Sequence, residues 1–281
     1  MKDPYRRRKI TDIVVRAACV LGTLIALVPL GSVMYYVTVR GLQGVNLEFF
    51  TELPKPVGET GGGMGNAVLG TLKLVGLACL FGIPPGVMAG VYLAEFGQTR
   101  FGRAVRFSAD VMSGIPSITV GIFVYSLIVV TTKHFSAVAG GLALAILMLP
   151  TITRSTEELL KLVPESLREA ALGLGVPQWR TTLRVMLRTA LPGIATGVML
   201  AVARVAGETA PLLFTAFNNR FWSEGLGEPT ASLPVNIYTN AVSPYEDWHR
   251  QAWAAALVLL MMVLILNVSA RLLVRQRVRA R

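Results

Sequence analysis

Apolar residues gather in six stretches, separated by polar segments that carry most of the charge. They run over 13–39, 66–96, 108–130, 137–152, 190–217 and 253–273. A helix that crosses a bilayer needs about 20 mainly apolar residues. The fourth stretch is short, and its helix is expected to continue into the polar run 154–161. The pattern predicts an all-α polytopic membrane protein with six transmembrane helices. Pro84 and Pro85 fall in the middle of the second stretch. Adjacent prolines remove two backbone donors, so a kink or break is expected there, with neighbouring helices satisfying the freed carbonyls.

Composition agrees. Of 281 residues, 53% are hydrophobic and 15% charged, with a mean hydropathy of +0.57. Those values exclude a disordered chain and point away from an ordinary soluble domain. The net charge of +11 raises the question of nucleic acid. The basic residues sit at the ends of the apolar stretches, however, which is how membrane helices are oriented, so no nucleic-acid partner is expected. Cys19 and Cys79 both lie within apolar stretches, and neither a disulfide framework nor a metal site is expected. The first apolar run is too long for a signal core and lacks a small-residue cleavage pattern.

Counting Lys and Arg on alternate sides sets the expected orientation. Twenty fall on one side: in the N-terminal segment, between stretches two and three, between four and five, and in the tail 271–281. Five fall on the other: Arg40, Lys55, Lys133, Arg220 and Arg250. Both termini are therefore expected in the cytoplasm. The chain divides into an N-terminus (1–12), a first helix (13–39), an external loop (40–65), a core of five helices (66–273) and a basic tail (274–281).

Two basic residues lie inside the membrane. Lys73 sits about two turns from the outer edge, where its long stem can snorkel to the headgroups. Arg204 falls near mid-membrane, where a charge costs roughly 2.5–3.5 kcal/mol on insertion scales and normally faces protein or water. Glu208 follows four residues later, on the same helical face. Two readings stand: an ion pair that locks helices together, and an anion pathway whose cation the carboxylate holds in place. Asp110, four residues after Arg106, is expected to form a local pair with it.

The two external loops differ in character. Loop 40–65 contains Gly61-Gly62-Gly63 and reads as flexible. Loop 218–250 holds Phe221, Trp222, Tyr238, Tyr245 and Trp248 among prolines. Those aromatics suit an interfacial belt, or a docking surface for an external protein.

Between stretches four and five, the loop 163–188 begins Val163-Pro164-Glu165-Ser166-Leu167-Arg168-Glu169-Ala170-Ala171-Leu172-Gly173-Leu174-Gly175. Pro164 suits a helix start and Glu165 its positive end. Leu167, Ala170, Ala171 and Leu174 recur at helical spacing, and the glycines can stop the helix. A short amphipathic helix is expected to project into the cytoplasm, as a knob for another protein or as a helix on the membrane surface.

Glu169-Ala170-Ala171, followed after three residues by Gly175, resembles the EAA loop of permease subunits of type I ABC importers. Val185 and Leu187-Arg188 stand where that family often has an Ile and a Leu-Pro pair. The resemblance implies the type I importer permease fold, with Leu167, Glu169, Ala170, Ala171, Leu174 and Gly175 forming the coupling helix that docks in the ATPase. Gly70-Thr71-Leu72, Gly114-Ile115-Pro116-Ser117-Ile118, the run 204–214 (Arg-Val-Ala-Gly-Glu-Thr-Ala-Pro-Leu-Leu-Phe), Leu233-Pro234-Val235 and Trp253-Ala254-Ala255-Ala256-Leu257 narrow it to the PstA-type permeases of phosphate importers.

That resemblance covers about 61–273. It implies a pairing with a PstC-type permease, a dimer of ATP-binding ATPase subunits and an external phosphate-binding protein, in lipid. The chain lacks a Gly-rich phosphate loop, so ATP and Mg would be bound by the partner ATPase and no cofactor is expected here. The expected role is transport without catalysis. Arg204 and Glu208 would then line the phosphate pathway, and the hydroxyls of Ser113, Ser117 and Thr119 would meet the anion or bond between helices. The alternatives are a permease for another oxyanion such as sulfate, sharing only the coupling loop, and a secondary transporter or channel, which usually shows an internal repeat.

Overall fold

The computed structural model describes residues 4–56, 58–59 and 61–279, and every regular element among them is helical. Helix α1 (Pro4–Leu42) and the five-residue α2 (Leu47–Thr51) come first, then α3 (Gly65–Phe96). Helix α4 (Arg100–Gly114) precedes α5 (Ser117–Val124), which continues through a π-helical turn (Tyr125–Val129) into α6 (Val130–Thr132). Helix α7 (Ala137–Lys161) leads to α8 (Glu165–Gly173) and α9 (Gln178–Thr181). A second π-helical turn (Thr182–Met186) joins α9 to α10 (Leu187–Ala206). The chain ends with α11 (Ala210–Thr215), α12 (Leu233–Ala241) and α13 (Glu246–Arg279).

Five of these runs are long and apolar enough to span a membrane: Arg8–Leu42, Gly65–Phe96, Ala137–Lys161, Gln178–Ala206 and Glu246–Leu272. The sixth is a bent pair, Arg100–Gly114 with Ser117–Thr132, meeting at 106°. The expected six-span, all-α architecture holds on that count.

Helices α3 and α7 form the centre because their backbones come unusually close. Gly82, Gly86 and Gly90, four residues apart on one face of α3, lie against Ala145, Ile152 and Thr156 of α7. A Cβ at Gly90 would stand 2.5 Å from the Thr156 Cβ. Small residues allow this approach in a membrane, where dispersion between close helices drives packing. The contact also explains a difference from expectation. Pro84 and Pro85 do not break α3, which runs unbroken through both, clamped along this glycine face. Leu74, Leu77, Leu144, Met148 and Leu212 fill the surrounding core.

Two expected straight spans are corrected. The span expected over 108–130 is broken, because Ile115 precedes Pro116 and takes an extended conformation (φ −74°, ψ 129°). A residue before proline is pushed out of the helical region by the ring. Beyond the break, Ser117–Thr132 rises about 24 Å, short of the hydrocarbon thickness of about 30 Å. The span expected over 190–217 ends at Ala206, and residues 207–209 are non-helical before α11. Pro211, in the first turn of α11, cannot donate to a carbonyl four residues back, so it starts a helix where it would have interrupted one.

The described residues of 40–65 are more ordered than the glycines suggest. Asn46 caps α2 by accepting from the Phe49 amide (2.8 Å), and Phe49 and Met64 are buried with Ala231, Leu233 and Ala254. The Gln251 side chain donates to the Gly61 carbonyl at 2.9 Å. Lys73 donates to the Ser223 carbonyl in loop 218–250, which ties it to that loop rather than to headgroups. Helix α1 meets α13 at Gly41, where a Cβ would lie 2.6 Å from the Leu257 Cβ, and none of its apolar window is buried within this chain.

Candidate functional site

Helix α10 ends at Ala206, with the Gly207 amide donating to the Arg204 carbonyl (3.3 Å) and the Glu208 amide to Val205 (3.1 Å). Arg204 therefore occupies the last turn, where the negative end of the helix dipole favours a cation. Glu208 lies outside the helix, in the break. The Arg204 Nε stands 3.9 Å from Glu208 Oε1, too far for a hydrogen bond, and the side chains are 60% and 19% exposed. The terminal guanidinium nitrogens have no partner among the described residues. The arrangement is a half-buried carboxylate beside a mostly uncovered guanidinium, at a point where the membrane helix comes apart.

Helix α11, which begins just after this break, packs on α5. A Cβ at Gly121 would lie 2.6 Å from the Pro211 Cα. Ser117 opens α5, one turn before that contact, and Thr119 lies in the same first turn, its amide bonded to the Pro116 carbonyl (3.0 Å). Ser113 closes α4, and its hydroxyl donates back to the Ala109 carbonyl (3.0 Å). The structure thus sets the two discontinuous spans side by side, with Ser117 and Thr119 on one and Glu208 on the other. Ser113 lies across the bend from them.

The second candidate site is the α8 hairpin. Glu165 lies in the first turn of α8, and Pro164 precedes it. Gly175 stops the helix: its amide donates to Leu172 (2.9 Å), the Val176 amide donates to Ala171 (3.1 Å), and Gly175 takes φ +78°. That pair of bonds with a left-handed residue is a Schellman stop, which side chains bearing a Cβ resist. The four residues expected on one apolar face divide. Ala171 is buried, whereas Leu167, Ala170 and Leu174 are exposed, Leu174 at 85%. Glu169 is also exposed. The hairpin has an inner face against the bundle and an apolar outer face with no cover in this chain.

Arg168 fastens the inner face. Its two terminal nitrogens donate to both carboxylate oxygens of Glu95 (2.8 and 2.6 Å), near the end of α3. Glu95 is 6% exposed and Arg168 23%. The hydrogen bonds to Glu95 hold the Arg168 guanidinium above its usual pKa. Gln178 and Thr182 line the same surface hollow as Glu95, so α8, α9 and the π-helical turn all come together near one residue of α3.

A second ionic cluster lies at the α4–α7 contact. Glu157, 1% exposed, receives Arg106, Arg154 and Lys161. The expected local pair of Asp110 with Arg106 is corrected: Asp110 pairs with Arg154 (3.0 Å), while Arg106 reaches across to α7. The glutamate buried 51 residues away outcompetes the exposed neighbour, since a buried carboxylate needs compensation more.

Neither Glu95 nor Glu157 stood out as functional from the sequence. Glu157 had a local signal, with Arg154 three residues before and Lys161 four after. Glu95 had none, because its partner lies 73 residues along the chain.

A loosely held Arg–Glu pair at a break in a membrane-length helix, beside a projecting amphipathic hairpin, fits an all-helical transport subunit of the type I ABC importer fold. The family model described as "binding-protein-dependent transport system inner membrane component" matches residues 86–279, and the chain belongs to that family. It is 44% identical over 273 residues to the phosphate transport system permease protein PstA of Yersinia pestis, covering 97% of this chain and 92% of that protein. The PstA of Haemophilus influenzae is 45% identical over 253 residues, covering 90% and 89%. PstA 1 of Mycobacterium tuberculosis is 38% identical over 272 residues, covering 95% and 88%.

Solved structures with the same fold include a bacterial alginate ABC transporter in complex with its periplasmic protein (TM-score 0.62, 15% identity, 97% of this chain and 96% of that one). The methionine transporter MetNI in an inward-facing form is another (TM-score 0.57, 20% identity, 77% and 96%). This chain is a transport component, not an enzyme.

Proposed function

We propose that this chain is the membrane permease subunit of an ATP-driven phosphate importer and forms half of its translocation pathway. The observation that carries the reading is near-full-length similarity to phosphate permeases, at 44% identity over 97% of the chain. That similarity favours phosphate over another oxyanion such as sulfate, and over a secondary transporter. The partners are a PstC-type permease, two ATPase subunits that bind ATP and Mg, and an external phosphate-binding protein. Both termini and the α8 hairpin face the cytoplasm, in line with the asymmetry of Lys and Arg.

In this mechanism the exposed apolar face of α8, with Leu167, Ala170 and Leu174 and the neighbouring Glu169, seats in the ATPase. Gly175 fixes where the helix stops. Nucleotide-driven closure supplies the differential affinity that shifts the membrane helices between outward- and inward-open states. Arg204 is the transient phosphate partner. Its permanent charge and forked donors suit an oxyanion. Its 3.9 Å separation from Glu208 leaves the donors available while the carboxylate lowers the local potential, so that phosphate is released. Ser117 and Thr119, on the short helix packed against α11, offer hydroxyls along the same route, and Ser113 extends it across the bend.

Uptake by the purified, reconstituted complex tests the reading. ATP-dependent phosphate accumulation that excess sulfate does not compete away is expected. Sulfate accumulation in its place, or uptake that needs no ATP, would overturn it.

A further inference from the structure

A cavity of about 70 Å³ opens on the external side, between loop 218–250 and the segment 40–65. Its walls include Lys55, Asn218, Asn219, Arg220, Asn236 and Asn240. No carboxylate lines it. That is notable because residues 40–65 and 218–250 together hold seven carboxylates against four cations. Two of the four cations line this one cavity. Arg250, outside the cavity, is paired with Asp247 at 3.1 Å. Arg220 has no carboxylate partner among the described residues.

The amides are oriented by the protein itself. The Asn236 oxygen accepts from the Asn218 side chain (2.8 Å), and the Asn218 oxygen accepts from the Asn219 amide (2.9 Å). The Asn219 oxygen accepts from the Phe221 amide (3.0 Å). With those three acceptors occupied, the wall presents the NH₂ of Asn236, which is 5% exposed, and the Arg220 guanidinium as donors, and the Asn240 side chain can turn its NH₂ inward. Gln251, whose NH₂ is held by the Gly61 carbonyl, leaves one oxygen to accept from a P–OH group.

The cavity also sits at the outer end of α11, the segment whose inner end is the Arg204–Glu208 break. Helix α11 has six residues and so rises about 9 Å. The chain leaves it through Phe217, a non-glycine residue at φ +61° stacked on Phe135 at 4.8 Å. Such backbone persists only where the surroundings enforce it, and here it turns the chain into Asn218, Asn219 and Arg220.

We infer that this cavity is an external holding site for a small oxyanion, inorganic phosphate in the transport cycle, from which the anion passes along α11 to Arg204. The inference rests on the phosphate-importer reading above. A cationic concavity in an acidic face focuses the field on an incoming anion and raises its local concentration.

The test is equilibrium binding of radiolabelled inorganic phosphate to the complex in nanodiscs, with no binding protein added. Wild type, Arg220→Gln, Asn240→Ala and Arg204→Gln are compared, with assembly checked by size exclusion. Arg220→Gln is expected to weaken binding at least about tenfold, as for one lost charge-assisted hydrogen bond. Asn240→Ala should weaken it less, and Arg204→Gln, which removes only the inner, transient contact, should weaken it less than Arg220→Gln does. Binding lost in Arg204→Gln but intact in Arg220→Gln would overturn the inference and leave the pathway role of Arg204 standing. Wild-type phosphate binding by Arg220→Gln, with loss of docking by the loaded binding protein, would also overturn it, since the cavity would then seat a protein side chain. If Arg220→Gln loses binding while Arg204→Gln still transports, the holding site stands and the pathway reading falls.

Discussion

The Arg168–Glu95 bridge makes a quantitative demand. Replacing Arg168 by Met removes the guanidinium but keeps a long apolar stem, and leaves the 6%-exposed Glu95 carboxylate without its cation. Breaking a buried pair from one side costs about 3–5 kcal/mol. Arg168 is 23% exposed, so the low end, about 3 kcal/mol, applies. That shifts the docking equilibrium of the α8 hairpin on α3 by about 100-fold. Glu95→Gln should cost less, because the partly exposed Arg168 can turn to water. The pair Arg168→Met with Glu95→Leu should recover most of the loss, since replacing both partners is often near neutral.

Hydrogen exchange over 165–181 reads the docking directly, and ATP hydrolysis stimulated by loaded binding protein reads its use. Arg168→Met should exchange faster in that segment and lose stimulation, while basal hydrolysis persists. Unchanged protection in Arg168→Met, or a double variant no better than the single, would refute the bridge as the attachment of the hairpin.

Other expectations follow from the same geometry. Gly175→Ala should destabilise the end of α8 by about 1 kcal/mol, because φ +78° is strained for a residue with a Cβ; Gly173→Ala, helical and with open space around it, should leave protection unchanged or raise it by the same exchange measurement. Gly90→Leu should lower the yield and melting temperature of the complex by forcing α3 from α7, whereas Gly76→Leu, with nothing within 4 Å in this chain, should leave the chain's own fold intact. Glu157→Gln should lower the melting temperature, as it strips the shared carboxylate from Arg106, Arg154 and Lys161, but by less than about 3 kcal/mol, because those partly exposed cations can turn to water. Ser166→Cys, in a background lacking Cys19 and Cys79, should react with an impermeant thiol reagent only from the cytoplasmic side; labelling from outside would refute the orientation.

What was legible in the chain was what is local. Runs of apolar residues located six spans because bilayer thickness fixes their length, and Pro164, the glycines and the apolar spacing outlined the α8 hairpin. The breaks within spans three and five were not read, because apolar residues resume on both sides of Ile115-Pro116 and of Gly207-Glu208-Thr209. Pro116 and Pro211 were their visible marks. The same residue type misled at Pro84 and Pro85, where a glycine face opposite α7 holds the helix through. Partner choice over distance was the least legible. Nothing near Glu95 announces Arg168, and the pairing of Arg106 with Glu157 over Asp110 depends on burial that only packing creates. Arg204 and Glu208 were legible as an unusual pair of charges, but not as a loosely held pair at a helix end.

The central claim, that Arg204 serves the anion rather than the architecture, is tested most directly by phosphate uptake through complexes carrying Arg204→Gln together with Glu208→Gln. Removing both charges also removes their dependence on each other, so a purely structural pair would be restored close to neutrality. A normally assembled complex with transport absent is expected. Appreciable phosphate uptake by that double variant would contradict it.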